Sequence, residues 1–245
     1  MDPSLAVSAK NLTFSYDSVP VLESAAFSIQ EGDFVGIFGP NGGGKTTLLK
    51  ILMGLLTPQK GEIHLLGKSP KDARSHIGYV PQALQFDKNF PITTLDVVLM
   101  GCLSQLKWWG GYPKAAKQAA LEALKEVDLD GYAHSLFGTL SGGQAQRALI
   151  ARAIVGKPRI LLLDEPTANV DPKAQQEIHQ LLSRLNKTIT ILMVTHDLQS
   201  IIDKTKRLLC VHRKVTMMEA KQVCEHFALG LYHTPLSASK EHFSW

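Results

Sequence analysis

A glycine-rich loop that ends in lysine and threonine is the first segment with residues suited to chemistry. The loop consists of nine consecutive residues, Gly39, Pro40, Asn41, Gly42, Gly43, Gly44, Lys45, Thr46 and Thr47. Its spacing fits G-x-x-x-x-G-K-T, in which glycines bring backbone N–H groups close to phosphate oxygens. The positive end of a helix predicted from Lys45 to Leu52 would strengthen this anion site. The pattern therefore predicts nucleoside triphosphate binding, with Lys45 on the β- and γ-phosphates and the Thr46 hydroxyl on Mg²⁺.

Three further motifs follow the loop in order. LSGGQ spans Leu140 to Gln144, ILLLDEP spans Ile160 to Pro166, and VTH spans Val194 to His196. Together with the phosphate loop, this ordered set resembles the ATP-hydrolysing subunit of ABC (ATP-binding cassette) transporters. The resemblance implies ATP and Mg²⁺ as cofactors and ATP hydrolysis as the activity. Many members have serine where this chain has Gly43, so only the backbone cradle is carried over at that position.

Two acids end the apolar run Ile160 to Leu163, which is typical of a buried strand. Consecutive strand residues point to opposite faces, so Asp164 and Glu165 are predicted to do different jobs. Asp164 resembles the acid on the Mg²⁺ side, acting through water. Glu165 resembles the residue that polarises the attacking water, which requires hydrogen-bond reach. An ordinary acidic strand exit is the alternative, and the phosphate loop upstream weakens it.

Four other positions take roles from the resemblance. Tyr16 would stack on adenine, although it could instead be a strand-edge tyrosine. Gln82 would sense Mg²⁺ and the γ-phosphate, and His196 would contact the γ-phosphate. Asp171 would lie at the subunit interface; followed by Pro172, it also fits a helix N-cap, and both interpretations can hold.

The LSGGQ motif indicates how two copies would act together. Its polar part is Ser141, Gly142, Gly143 and Gln144, and it precedes a helix predicted from Ala145 to Val155, so the helix N-terminus is open to an anion. The resemblance implies a head-to-tail dimer, in which this motif of one copy covers the ATP held by Lys45 of the second copy. Hydrolysis would then open the dimer. A serine-capped helix with flexible glycines is the alternative.

The hydrophobic pattern predicts an α/β protein. Short strands are expected up to residue 80, helices at Leu95–Leu106 and Ala115–Val127, and alternating strands and helices from residue 159 to 211. The resemblance implies one ABC ATPase domain over 1–245. It would contain a P-loop NTPase core with a parallel sheet and an N-terminal antiparallel β-subdomain (about 1–92 and 158–215), an inserted α-helical subdomain (about 93–157), and a C-terminal extension (216–245).

Composition adds limits on location and partners. The 245 residues are 44% apolar, without an apolar run near the roughly 18 residues of a membrane span. No signal peptide is evident at the N-terminus, so a peripheral position on the cytoplasmic side of the cell membrane is expected. Cys102, Cys210 and Cys224 suggest reduced thiols. The net charge of +4 is mild, and no nucleic-acid partner is expected.

Three segments resemble the branch of the family that imports manganese, zinc or iron: Phe90 to Gly101, Val211 to Lys214 and Leu231 to Leu236. The resemblance implies transmembrane permease subunits, whose cytoplasmic loop enters a groove shaped by these segments, and an extracytoplasmic metal-binding protein. A simpler interpretation of the first segment is a helix capped by Thr93 or Thr94.

Two other functions remain open. A non-transport ABC ATPase would act as a mechanochemical clamp, and a P-loop kinase or GTPase would leave LSGGQ unexplained. Trp108 and Trp109 could pack on the helical subdomain or contact a membrane partner. The C-terminal histidines, including His226 and His233, match no compact metal motif, so Mg²⁺ is the only metal expected.

Overall fold

Two β-sheets organise the described part of the chain, one of three antiparallel strands and one of six strands. The computed structural model describes residues 4–82, 87, 90–108, 110–168, 170–197, 199–202 and 204–220. The predictions on Trp109, residues 221–245 and the C-terminal histidines therefore lie outside the described residues. The elements, in chain order, are β1 Leu5–Tyr16, β2 Val19–Gln30, β3 Phe34–Phe38, α1 Lys45–Leu52, β4 Lys60–Leu65, β5 Ile77–Val80, α2 Thr94–Leu99, α3 Lys114–Glu126, α4 Gly142–Ile154, β6 Ile160–Asp164, α5 Pro172–Leu185, β7 Thr190–Val194, α6 Gln199–Ile202, β8 Arg207–His212 and β9 Lys214–Glu219.

The three-stranded sheet has the order β2-β1-β4. A two-residue turn joins β1 to β2, and its residues Asp17 and Ser18 have φ of 40° and 70°. Positive φ at both positions suits the twist of a tight hairpin. The turn pairs Tyr16 with Val19 and so fixes Tyr16 at the end of the sheet.

The six-stranded sheet has the order β5-β6-β7-β3-β8-β9. Its first five strands are parallel, as the sequence predicted, and β9 returns antiparallel beside β8 through a turn at Arg213 (φ 57°). This edge strand continues to Glu219, past the position where the C-terminal extension was predicted to begin. The carboxyl ends of β3, β6 and β7 are neighbours, because Val194 pairs with both Ile37 and Asp164. Ligands of open α/β sheets bind at this edge.

The helices α2, α3 and α4 lie between β5 and β6 in the sequence and pack on one another, while β5 and β6 themselves are paired neighbours in the sheet. The prediction of one helix over Leu95–Leu106 is wrong: α2 ends at Leu99, and a 3₁₀ segment with non-helical Cys102 follows from Met100 to Gln105. In this segment the backbone of Gly101 packs closely on α4, because a Cβ there would lie 2.1 Å from the backbone oxygen of Arg152. Periodicity in the sequence does not reveal such close backbone packing.

The two faces of the larger sheet bury different partners. Leu161 and Leu163 of β6 face the helical side, whereas Ile160 and Leu162 face the three-stranded sheet and α1. Both faces are buried, so the parallel strands carry mostly apolar side chains on both faces. The rigid layers hold the carboxyl edge of the sheet in place, and the loops there carry the predicted site residues.

Candidate nucleotide-binding site

The phosphate loop runs from β3 to α1 against the backbone of β8. A Cβ on Gly39 (φ 152°) would lie 2.1 Å from the carbonyl oxygen of Val211, and one on Gly43 would lie 2.6 Å from the same oxygen. Gly44 caps α1 at φ 104° and accepts a 2.8 Å hydrogen bond from the N–H of Leu48. A side chain at Gly39 or Gly43 would therefore force the backbone to shift, and the bare backbone of the loop is a cradle suited to phosphate.

Lys45 lies within the loop that precedes it. Its Nζ donates hydrogen bonds to the carbonyl oxygens of Gly39 at 2.9 Å and Pro40 at 3.0 Å. Burial lowers the pKa of the Lys45 ammonium, and the charges of Glu165 and Asp164 oppose that shift. The Lys45 ammonium thus lies between the loop and the two acids, where a phosphate oxygen would accept its remaining hydrogen bond.

Asp164 ends β6 and is only 6% exposed. Burial, followed by the charge of Glu165, raises the pKa of its carboxyl, whereas Lys45, a hydrogen bond with Thr46, and His196 lower it. A buried carboxylate beside a hydroxyl is a set of hard oxygen donors, which Mg²⁺ prefers. The residues present therefore fit the predicted ion.

Glu165 leaves the strand in a left-handed conformation, with φ of 50°, and its N–H donates to the carbonyl of Val194 at 3.0 Å. The alternation argument for Asp164 and Glu165 therefore does not hold, because only Asp164 belongs to the strand. The Glu165 carboxylate is held by two side chains. Gln82 Nε2 donates to its Oε2 at 2.8 Å, and His196 Nε2 lies 2.5 Å from its Oε1.

A cleft of about 510 Å³ joins these parts. Its lining residues are Tyr16, Val21, Asn41, Gly42, Gly43, Gly44, Lys45, Thr46, Thr47, Gln82, Glu165 and His196. The structure thus brings together most of the predicted nucleotide contacts, while Gly39, Pro40 and Asp164 are not among the lining residues. Tyr16 is 42% exposed and packs edge-on to Phe14, with 4.9 Å between the ring centroids. Sequence reasoning missed Val21, which belongs to no motif and lies near Tyr16 only because of the hairpin.

The LSGGQ residues and Asp171 are not among the described residues that line this cleft. Ser141 caps α4 in a capping box with Gln144: the Gln144 N–H donates to Ser141 Oγ at 3.3 Å, and the Ser141 N–H donates to Gln144 Oε1 at 2.9 Å. Asp171 caps α5 by accepting from the N–H of Ala174 at 3.0 Å. Both capping interpretations are therefore present in the fold.

The N-terminus of α4 is partly exposed to solvent. Ser141 and Gly142 are exposed, whereas Gly143 is buried, and a Cβ there would lie 2.5 Å from the Cβ of Ala174. α4 can therefore present its first N–H groups outward, while its second glycine allows close packing on α5.

Within the described ranges, no helix is long and apolar enough to cross a membrane. Over the same part of the chain, no group of three or more His, Cys, Asp or Glu side chains is arranged to hold a metal ion.

Comparisons with known proteins show which family the chain belongs to. A model described as "ABC transporter" matches residues 22–168. The chain is 44% identical to a Chlamydia pneumoniae protein named "Probable metal transport system ATP-binding protein", covering 88% of this chain and 89% of the relative. It is 40% identical to the manganese transport system ATP-binding protein MntB of Bacillus subtilis (89% and 88%) and 35% identical to the zinc uptake system ATP-binding protein ZurA of Listeria innocua (90% and 88%).

Solved structures agree with the fold. One chain, from an ABC transporter in an inward-facing conformation, is 31% identical with a TM-score of 0.82, covering 95% of this chain and 90% of that one. CbiO1 of Clostridium perfringens, part of the ABC transporter complex CbiONQ, is 26% identical with a TM-score of 0.79 (92% and 93%). The expected architecture, a P-loop core with an antiparallel β-sheet and inserted helices, is confirmed. The chain belongs to the ABC transporter family and is one of its ATP-binding, ATP-hydrolysing subunits.

Proposed function

We propose that this chain powers the import of a transition metal ion, manganese, zinc or iron, through a partner permease. The observation that supports this most directly is the cleft in which Glu165 is bound by Gln82 and His196 beside the Lys45 loop. It combines a phosphate cradle with a positioned carboxylate, as hydrolysis requires. The choice of a metal as cargo rests on relatives named for manganese and zinc transport.

Within the cleft, each side chain has a role that follows from its position. Tyr16, exposed at the hairpin end, stacks on the adenine ring. The backbone from Asn41 to Thr47 binds phosphate oxygens, and Lys45 donates to the β- and γ-phosphates. The bulk of ATP therefore lies between the hairpin and the N-terminus of α1.

Oxygen atoms of Thr46, Asp164 and Gln82 would hold Mg²⁺, which neutralises phosphate charge when bound. Glu165 accepts a proton from the attacking water, and His196 contacts the γ-phosphate from the end of β7. Because Gln82 and His196 both contact the Glu165 carboxylate, they orient it toward the γ-phosphate end of the cleft. Proton transfer to a positioned group of this kind contributes roughly 10²–10⁴-fold to a rate.

A second copy of the chain completes the site. Ser141, Gly142, Gly143 and Gln144 of one copy cover ATP bound to the other, with Asp171 at the same head-to-tail interface. The exposed N-terminus of α4 supports this arrangement, because it can bind an anion but lies outside its own subunit's cleft. ATP then joins the two copies, and loss of the γ-phosphate contacts lets them separate.

The ABC subunits of metal transport systems work with transmembrane permeases. A dimer of this chain would lie peripherally on the cytoplasmic side of the cell membrane. Its opening and closing would move the permease. The permease would receive the metal ion from an extracytoplasmic binding protein. Residues 90–101 border the proposed docking groove for a cytoplasmic loop of the permease, and Thr93 caps α2 there with Asp96.

The test is to isolate the chain with its bound partners from its native membrane in mild detergent. We expect a multi-spanning permease, and ATPase activity that rises when a binding protein loaded with manganese, zinc or iron is added. The same complex carrying Glu165→Gln controls for contaminating ATPases. A water-soluble assembly partner without any permease would contradict the transport proposal and favour the mechanochemical clamp.

A further inference from the structure

Arg152, in the last turn of α4, is a partly buried cation without a partner in the described part of the chain. No hydrogen bond or ion pair of its guanidinium joins it to a described residue, and burial lowers its pKa. Arg147, one turn and a half earlier on the same helix, donates to the backbone oxygen of Val127 and pairs with Glu177 at 3.6 Å. Removing a charge from water without a partner is costly, so an unpaired Arg152 needs an explanation.

Arg152 lines two adjoining grooves. The larger, about 890 Å³, lies between β5, the end of α4 and the 3₁₀ segment after α2, with Tyr79 and Leu103 among its lining residues. Arg74 also lines it, but its guanidinium donates to the backbone oxygens of Met53 and Gly54. The smaller, about 250 Å³, has a mostly apolar lining that includes Phe90 and Arg152, with Asp87 as its acidic residue.

The rim of these grooves is apolar and exposed. Phe90 and Leu103 are each 60% exposed, and Met100, which lines both grooves, is 43% exposed. Exposed large apolar side chains gathered around a recess are typical of protein-binding surfaces. An unpaired cation within such a recess favours an apolar occupant that carries a negative charge.

We propose that Arg152 forms an ion pair with a carboxylate side chain on the cytoplasmic segment of the permease, and that this pair fixes the segment in the groove. The inference rests on the proposed transport function and specifies the chemistry of its partner. The permease segment would place apolar side chains on Met100 and Leu103 and an Asp or Glu between them. Burying the pair inside the groove gives specificity, because any segment without the acid would leave Arg152 desolvated and unpaired.

The position of the groove also suggests how a bound permease segment would affect the nucleotide site. Tyr79 lines the groove from β5, and Gln82 follows three residues later to hold Glu165. On the other side, the Gly101 backbone is packed directly on the Arg152 carbonyl. A segment bound to Arg152 would therefore press on the elements that position Gln82, at the γ-phosphate end of the cleft.

The experiment uses native membranes stripped of peripheral proteins by urea, to which purified full-length chain is added back. We expect Arg152→Glu to reduce binding to these membranes at least tenfold. It should also abolish the rise in ATPase activity that the parent shows when it binds the membranes and the metal-loaded binding protein is added. Its basal ATPase activity, measured without membranes, should stay at the parent rate. Arg152→Gln should fall between Arg152→Glu and the parent, and Arg152→Lys should recover part of the binding. Lys157→Glu is the matched control: it makes the same change in charge five positions along the chain, at an exposed residue that does not line the groove.

A charge swap would identify the partner acid. Replacing that Asp or Glu of the permease by Arg should restore binding to Arg152→Glu and to no other variant. Arg152→Glu binding as tightly as the parent would overturn the ion pair but leave the transport proposal intact. If the parent binds protein-free vesicles of anionic phosphatidylglycerol as tightly as it binds the native membranes, the partner of Arg152 is a lipid headgroup. That result would also overturn the ion pair with the permease. A parent chain that binds neither preparation would overturn both proposals.

Discussion

The Nε2 atom of His196 lies 2.5 Å from Oε1 of Glu165, while the other oxygen of that carboxylate accepts from Gln82. The three residues follow β7, β6 and β5, which are consecutive neighbours in the sheet. A carboxylate with both oxygens engaged has a defined orientation. This arrangement places the proposed water-activating group at the mouth of the phosphate cleft, and the following predictions depend on it.

Glu165→Gln should preserve ATP binding and reduce turnover by roughly 10²–10⁴-fold, because the amide keeps the shape of the side chain but accepts no proton. ATP should then accumulate in a stable dimer. ATP binding, single-turnover hydrolysis and size-exclusion chromatography measure the three effects. Glu62→Gln, at an exposed position of β4, is the control and should behave as the parent. Hydrolysis by Glu165→Gln at the parent rate would show that the assignment of Glu165 is wrong.

Asp164→Asn should lose hydrolysis yet resist unfolding better than the parent at neutral pH. Burial and Glu165 raise the pKa of Asp164 above its ordinary value of 3.8. A raised folded-state pKa gives stability that is complete below the unfolded pKa and is lost as the pH rises through the folded value. The parent therefore carries the penalty of a buried charge at neutral pH, and the asparagine variant does not.

Urea unfolding at several pH values checks this sign. The stability advantage of Asp164→Asn should be present at pH 7 to 8 and shrink as the pH is lowered through the folded pKa of Asp164. The exposed Asp130→Asn serves as the control. An advantage that grows on acidification would contradict the stated direction of the pKa shift.

Ser141→Ala should have two separable effects. Loss of the cap on α4 should lower the free energy of unfolding by about 1 kcal/mol. ATP affinity of the single subunit should stay unchanged, because Ser141 is not among the described residues lining the cleft, whereas ATP-dependent dimerisation should fail. Thr93→Ala removes the equivalent capping box from α2 and should cost similar stability without affecting dimerisation. Normal dimerisation of Ser141→Ala would show that the Ser141 side chain only caps α4 and is not needed to form the dimer.

Gly43→Ser should destabilise this chain although many family members have serine there. A Cβ would lie 2.6 Å from the oxygen of Val211 and 2.9 Å from that of Pro40, so the backbone must shift. Overpacking of this kind costs about 1–3 kcal/mol. Thermal unfolding with and without ATP measures the loss. Gly131→Ser, where a Cβ meets open space, should stay near the parent, and equal melting temperatures for the two variants would refute the clash.

The sequence by itself determined the elements and motifs whose causes are local. Glycine spacing before Lys45 dictates a phosphate loop, and an apolar run before Asp164 dictates a buried strand. Ser141 with Gln144, and Asp171 with Pro172, specify helix starts that the structure contains. These features depend on backbone conformation and periodicity over a few residues, which the sequence carries directly.

Only the tertiary structure decided the features that depend on neighbours distant in the chain. The left-handed turn at Glu165 invalidated the alternation argument, and the segment after α2, where Gly101 packs on the Arg152 carbonyl, proved to be 3₁₀ instead of α-helical. Val21 entered the cleft through a hairpin, and Arg152 proved to lie unpaired between two grooves only once α4 was packed. In each case the deciding contact joins segments whose separation in the sequence leaves no periodic signal, because packing and the desolvation of charge are properties of the assembled layers.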